Sequence, residues 1–272
     1  MSSMRDETTE RMQLERRVLA ALRMLSDDKP PATQMMGVDW ILSIGPSAIP
    51  VLMDALPDLA AADALRFLGE PAIYALLALS RDANATPEDQ RNALYALVDF
   101  ARRNADARAF YEIRRLESEG LTEEVRVFSQ YAMYRFDRSL GKHMERLSKA
   151  VDELATDNPR KLNVRAGKLA RQAEREPSVL SMLLYKAPDE QLTGGITVVM
   201  LKIGEPVVSR TIEAFDAGVR GLAWPLAALG KSFPEAQSAV QQAAESHPDA
   251  GIRTEAEQAL ELMSQYDATH HS

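Results

Sequence analysis

"DAGVRGLAWPLAALG" spans Asp216–Gly230, and thirty-three residues further on the chain reads "DAGIRTEAEQALELM" from Asp249 to Met263. A shared Asp-Ala-Gly, β-branched aliphatic and Arg at that offset is internal self-similarity, which points to stacked repeats. Asp216 and Asp249 each suit an N-cap, where a short carboxylate accepts the first backbone N–H groups of a helix. Behind them Val219, Ala223 and Leu226 keep helical spacing along one face, as do Ile252, Ala256, Ala259, Leu260 and Met263 in the second copy. The first-copy helix is expected over 217–229. Pro225 should kink it, with Gly221 making room for the proline ring.

A second recurring phrase marks helix ends. "LGEPAIYALLAL" (Leu68–Leu79) and "IGEPVVSRTIEAF" (Ile203–Phe215) share Gly-Glu-Pro, and "IGPSAIPVLMDAL" (Ile44–Leu56) is a looser relative. Glycine supplies the left-handed residue that closes a helix, and proline suits the first turn of the next. The phrase therefore reads helix, tight turn, helix. Joined to the first phrase it gives one unit: a capped helix, a glycine turn, and a proline-started second helix. In the best copy that second helix is expected over 234–246, with His247–Asp249 restarting the cycle. Weaker helix starts fall at Gln90-Arg91, Val125-Arg126 and Val164-Arg165. No stretch alternates long enough to compete as a strand. The chain is expected to be all-α: an α-solenoid of about eight antiparallel helix pairs over 12–266, with a frayed N-terminus (1–11) and a flexible tail (267–272).

These features resemble the HEAT-repeat family, and more closely its short HEAT-like variants of the kind found in phycobilisome lyases. The resemblance is carried by Asp249, Ile252-Arg253, Ala256 and Ala259-Leu260, by their twins within Asp216–Leu229, and by the glycine turns near 45, 69 and 204. It covers most of 34–266 and is strongest from 188. Ankyrin repeats would need Thr-Pro-Leu-His, and tetratricopeptide repeats a Trp…Leu-Gly…Tyr helix; neither occurs. The resemblance implies a non-enzymatic protein–protein interaction scaffold. Its alternatives are a nucleic-acid-binding or DNA glycosylase-like protein, and a bilin lyase-like protein. Arg220 and Arg253 invite a partner-binding role, whereas the resemblance implies a ladder between repeats, each held by a carboxylate such as Asp216 or Asp249, or by a helix-end carbonyl.

Composition bounds the chemistry. A 272-residue chain with 46% hydrophobic and 26% charged residues is ordinary for a globular protein. With no cysteine, thiolate metal sites and cysteine nucleophiles are excluded. The opening "MSSMRDETTERMQLERR" has no apolar signal core, and no apolar run is expected to approach the ~20 residues that cross a bilayer. A cytoplasmic protein without a membrane segment is expected. His143, His247, His270 and His271 form no His-Glu-x-x-His phrase, nor the His-Glu pairs that iron-binding HEAT hydroxylases would require. "GKS" (Gly230–Ser232) lacks the first glycine and the strand of a phosphate-binding loop. No catalytic residue, metal or cofactor is assigned.

Charge and aromatics concentrate in the middle. Net charge is −6 over 1–90, +5 over 91–175 and −7 over 176–272, giving −8 in all. That balance argues against nucleic acid and toward an acidic protein partner drawn to the centre. Eight of the 16 aromatic residues lie between Tyr95 and Phe136. On a helix expected around 123–139, Val125, Phe128, Ala132 and Phe136 form a packing stripe. Tyr131, Tyr134 and Arg138 face the other way, with Arg135 at the border. Aromatic and arginine side chains dominate binding hot spots, but a solenoid helix also buries two faces. Two readings stand: a partner-binding face made of Tyr131, Tyr134, Arg135, Arg138 and Arg165, or packing between repeats. The partner and the oligomeric state are not legible.

Overall fold

The glycine–proline phrases close and open helices as their chemistry requires. Gly45, Gly69 and Gly204 have φ of 69°, 70° and 75°, a left-handed conformation that glycine takes freely. The N–H of Gly69 bonds to the Arg66 carbonyl and that of Gly204 to the Met200 carbonyl. The proline that follows sits in the first turn of the next helix, where its missing N–H costs nothing. The computed structural model describes residues 2–82, 84–136 and 138–270, with side chains over 11–265 of that range. The expected frayed N-terminus at 1–11 and tail at 267–272, with His270 and His271, lie almost wholly outside the described side chains.

In chain order the helices are α1 (Ser2–Leu25), α2 (Pro31–Ile44), α3 (Ile49–Asp54), α4 (Leu59–Leu68), α5 (Glu70–Arg81), α6 (Pro87–Asn104), α7 (Ala107–Glu119) and α8 (Glu123–Arg135). They continue as α9 (Arg138–Asp152), α10 (Pro159–Ala173), α11 (Ser178–Lys186), α12 (Thr193–Ile203), α13 (Glu205–Asp216), α14 (Ala223–Leu229), α15 (Pro234–Ser246) and α16 (Ala250–His270). No strand occurs among the described residues. Two compact units divide the chain, one of residues 1–103 and 109–135, the other of 104–108 and 136–272.

Within the second unit alternate helices pack on one another. α10, α12, α14 and α16 form one layer, and α9, α11, α13 and α15 the other. Short links make sequence neighbours antiparallel, so this is the expected all-α arrangement of paired helices in an α-solenoid. The first unit follows the same rule, and its ion pairs trace it. Arg66 of α4 meets Asp99 of α6 at 3.1 Å, and Arg91 of α6 meets Glu124 of α8 at 2.9 Å. In the other layer Glu112 of α7 accepts from Ser80 and Arg81 at the end of α5. Fully buried Leu65, Ile73, Leu94, Leu97, Phe100 and Ile113 fill this unit's core.

The two Asp-Ala-Gly copies do opposite jobs. Asp249 is the expected N-cap: its carboxylate accepts the N–H of Gly251 at 2.6 Å and of Ile252 at 3.3 Å. Asp216 instead ends α13, and the expected helix over 217–229 begins only at Ala223. The Gly218 N–H bonds to Phe215 and the Val219 N–H to Ala214, the paired bonds of a Schellman helix stop. Pro225 then stands in the first turn of α14, where it kinks nothing. Gly221 serves the approach of another segment rather than the proline ring, because a Cβ there would lie 1.8 Å from the Ala187 carbonyl oxygen.

The arginine ladder is present at one of its two rungs, since only Arg220 crosses between repeats. Arg220 reaches Asp249 of the next repeat at 3.3 Å, and Arg253 donates to the His247 and Pro248 carbonyls. A Cβ on Gly251 would meet the Arg220 guanidinium, the end of an exposed side chain that can swing aside. A second tie reaches back from α16: Glu255 accepts the N–H groups of Gly221 (3.0 Å) and Ala223 (2.9 Å), capping α14 from the next repeat. Arg220 is 59% exposed, so Arg220→Ala should cost no more than about 1 kcal/mol. Glu255→Ala removes a cap and should cost about 1–2 kcal/mol. Urea midpoints of the two variants should fall in that order.

One stretch departs from the sequence expectation. Pro31–Asp54 is long and apolar enough, by length and composition, to span a membrane, with a hydropathy of 1.4. In the fold it is broken by Gly45 and Pro46 into α2, a 3-10 turn (Gly45–Ala48) and α3. α2 packs against α1 and α4, and Ile41, Ala48, Ile49 and Leu52 are buried.

Candidate functional site

α8 opens with Glu123 and Glu124, acids that suit the positive end of a helix. Val127, Tyr131 and Tyr134 follow Glu124 at i+3, i+7 and i+10, so the four share a face. That face is not packed: Val127, Tyr131 and Tyr134 are 55%, 56% and 85% exposed. The opposite side is core, with Val125, Ser129 and Ala132 buried. The helix expected around 123–139 stops at Arg135. Phe136 is taken into the buried interior, and the chain restarts as α9 at Arg138. Arg138 is therefore not on the helix of the tyrosines.

Between α6 and α8 lies a groove of about 560 Å3 lined by Pro57, Asn92, Tyr95, Val127, Phe128 and Tyr131. The Arg91–Glu124 ion pair stands on its rim. The Arg135 guanidinium carbon is 5.9 Å from the centre of the Tyr131 ring, at the outer edge of cation–π range. Arg135 has no carboxylate partner among the described residues. On the rim Glu124 is answered by Arg91, and Arg135 stands outside the lining, one turn along α8 from Tyr131.

The five sequence candidates divide between the units. Tyr131, Tyr134 and Arg135 belong to the first unit; Arg138 and Arg165 belong to the second. Arg138 is exposed. Arg165 is engaged: its Nε lies 3.5 Å from a Glu153 carboxylate oxygen, and its guanidinium donates to the Glu153 backbone carbonyl. It ties α10 to the end of α9. Sequence reasoning missed Pro57, Asn92 and Val127 and gave Phe128 to the packing stripe, although it is half-buried and lines the groove. Tyr95 was signalled by the aromatic clustering, as was Tyr131. Among the described residues no three His, Cys, Asp or Glu side chains converge as a metal site.

No protein-family model matches the chain, and a search of curated proteins gives no match. Among solved structures it is similar to human deoxyhypusine hydroxylase in complex with glycerol. Identity is 19% over 94% of this chain and 99% of that one, with a TM-score of 0.28. The expectation of a non-enzymatic interaction scaffold is corrected at this point. The neighbour found is an enzyme, so the repeat architecture gives no ground for excluding catalysis. Neither the nucleic-acid nor the bilin-lyase alternative gains support from it. A likeness this distant assigns no activity to this chain.

Proposed function

We propose that the α8 face of the first unit recognises a polypeptide partner by taking an apolar side chain into the α6–α8 groove. The observation behind it is the run of Val127, Tyr131 and Tyr134, exposed along one helix beside that apolar groove. Large rigid aromatics contribute contact area at low entropic cost, and their exposure without a partner is unfavourable in water. Arg135, one turn along α8 from Tyr131, fits a carboxylate next to the inserted side chain, so the partner segment pairs an apolar anchor with an Asp or Glu. The reading concerns recognition alone and says nothing against catalysis elsewhere. It keeps the short HEAT-like repeat as the resemblance and the cytosol as the compartment, supported by the cysteine-free, charge-rich sequence.

A random-peptide display selection against the full chain tests it. Enriched peptides should carry a bulky apolar residue beside Asp or Glu. The double variant Tyr131→Ala/Tyr134→Ala should bind them at least about tenfold more weakly, with a melting temperature within a few degrees of the parent, since both rings are solvent-facing. Enrichment that survives in the variant, or no enrichment at all, removes the proposal.

A further inference from the structure

The second unit carries a surface of different chemistry. On α9 the buried stripe is Met144, Leu147 and Val151, which turns Arg138, Lys142 and Lys149 to the solvent side. On α10 the buried positions are Ala166, Leu169 and Ala170, and Lys161, Lys168 and Arg171 stand outward. Between the two helices runs a groove of about 380 Å3 with Arg146 and Lys168 on its walls. Of its two acids, only Glu153 has an arginine partner. Arg165 holds Glu153, while Glu176 accepts from Gln172 at 2.8 Å and lies 3.8 Å from His143 Nε2. Among the described residues Lys142, Arg146, Lys149, Lys161, Lys168 and Arg171 have no carboxylate partner. Arg146 and Lys168 share the walls of one groove; like charges so placed repel one another, and a bound polyanion relieves that repulsion.

We infer that the α9–α10 face binds a short, carboxylate-rich polypeptide segment, a site on a different unit from the α8 groove and independent of the reading given for it. The chemistry favours polypeptide over nucleic acid on three counts. The stripes and the groove between them hold no Phe, Tyr or Trp to stack a base. Glu145 and Glu174 interrupt the positive surface; a phosphodiester chain carries charge at every step, whereas a polypeptide can set a neutral residue opposite each acid. A long duplex would also run past α9, 15 residues and so about 22 Å in length. Residues 176–272 carry −7. A short segment meets these cations together with Glu145, Glu174 and the groove's Glu176, while acids further off than about 8 Å are screened.

Fluorescence anisotropy on the full chain, with a labelled peptide of about seven glutamates to match the length of α9, provides the test. Binding is expected at about 50 mM salt and should fade toward about 300 mM; a glutamine peptide of the same length should not bind. The variant Lys142→Glu/Arg146→Glu/Lys168→Glu should weaken binding at least about tenfold. Lys202→Glu, at an exposed position in the last turn of α12, should change it less than about twofold. If the triple reversal fails to fold by circular dichroism, Lys142→Gln/Arg146→Gln/Lys168→Gln replaces it, with the same direction expected. The inference is overturned if the glutamate peptide does not bind at low salt, or if binding survives the triple variant. It is overturned equally if a duplex DNA of matched charge binds more tightly than the peptide, which would give the face to nucleic acid.

Discussion

Gly221→Ala is expected to lower the melting temperature by roughly 10 °C, from a loss on the order of 3–5 kcal/mol. The added Cβ would stand 1.8 Å from the Ala187 carbonyl oxygen and 2.6 Å from its carbon. Those are backbone atoms at the end of α11, so no rotamer change relieves the overlap. The helices must separate instead, and with them goes the layer in which α12 and α14 pack. Gly221 also has φ of 81°, which alanine adopts only at a cost, and its N–H is one of the groups that Glu255 caps. Gly218→Ala separates the contributions. Its φ is 88° but a Cβ there meets nothing within 4 Å, so only the backbone penalty of about 1–2 kcal/mol applies. Calorimetric melts of both variants should differ severalfold in their shifts. Equal shifts would mean that the approach of Ala187 is not what makes glycine necessary at 221.

That same residue shows why part of the fold was readable and part was not. The Gly-Glu-Pro phrases were read correctly because their instruction is local: a left-handed residue, then a residue that needs no N–H donor. The cap at Asp249 was legible for the same reason. Asp216 carries identical neighbours, yet it ends a helix, because the chain from 217 to 222 must pass close to Ala187, some thirty residues earlier. No window of sequence contains that fact. The site divides in the same way. The face of Tyr131 and Tyr134 followed from helical spacing, but whether it packs or faces water depends on what neighbours it. The groove beside it needs Pro57 and Tyr95, which only the fold brings to α8. The basic middle was visible as net charge. Its concentration on α9 and α10, free of aromatics, required knowing that the helix of the tyrosines stops at Arg135.

Glu112→Gln is expected to cost on the order of 2–4 kcal/mol near neutral pH, and to remove part of the protein's sensitivity to acid. Glu112 is 1% exposed, and an isolated carboxylate there would be expelled or protonated. It is charged because α5 and α7 surround it with donors. Ser80 Oγ donates at 2.8 Å, Arg81 Nε and Nη2 at 2.9 and 2.7 Å, and Arg115 Nη2 at 2.6 Å. Burial pushes its pKa up, but the bonds from Arg115 and Arg81, the Arg81 charge and the Ser80 hydroxyl outweigh it and hold the group below the usual glutamate range. A folded pKa lower than the unfolded one stabilises the fold at every pH above the unfolded value. That contribution is lost as pH falls through the folded value. Glutamine keeps the shape and one acceptor oxygen but cannot titrate, and it leaves two guanidinium groups facing a neutral amide. Asp28, Asp89 and Asp249 also have depressed pKa values and titrate in both proteins, so the informative quantity is the difference between the two stability curves. From urea unfolding at successive pH values, that difference should be constant above about pH 5 and shrink steadily below about pH 4. A difference that stays flat through the acid range would show that the Glu112 carboxylate is not what ties α5 to α7. So would a loss under about 0.5 kcal/mol at neutral pH. The tie would then rest on the apolar contacts of Ile73, Leu76 and Ile113 alone.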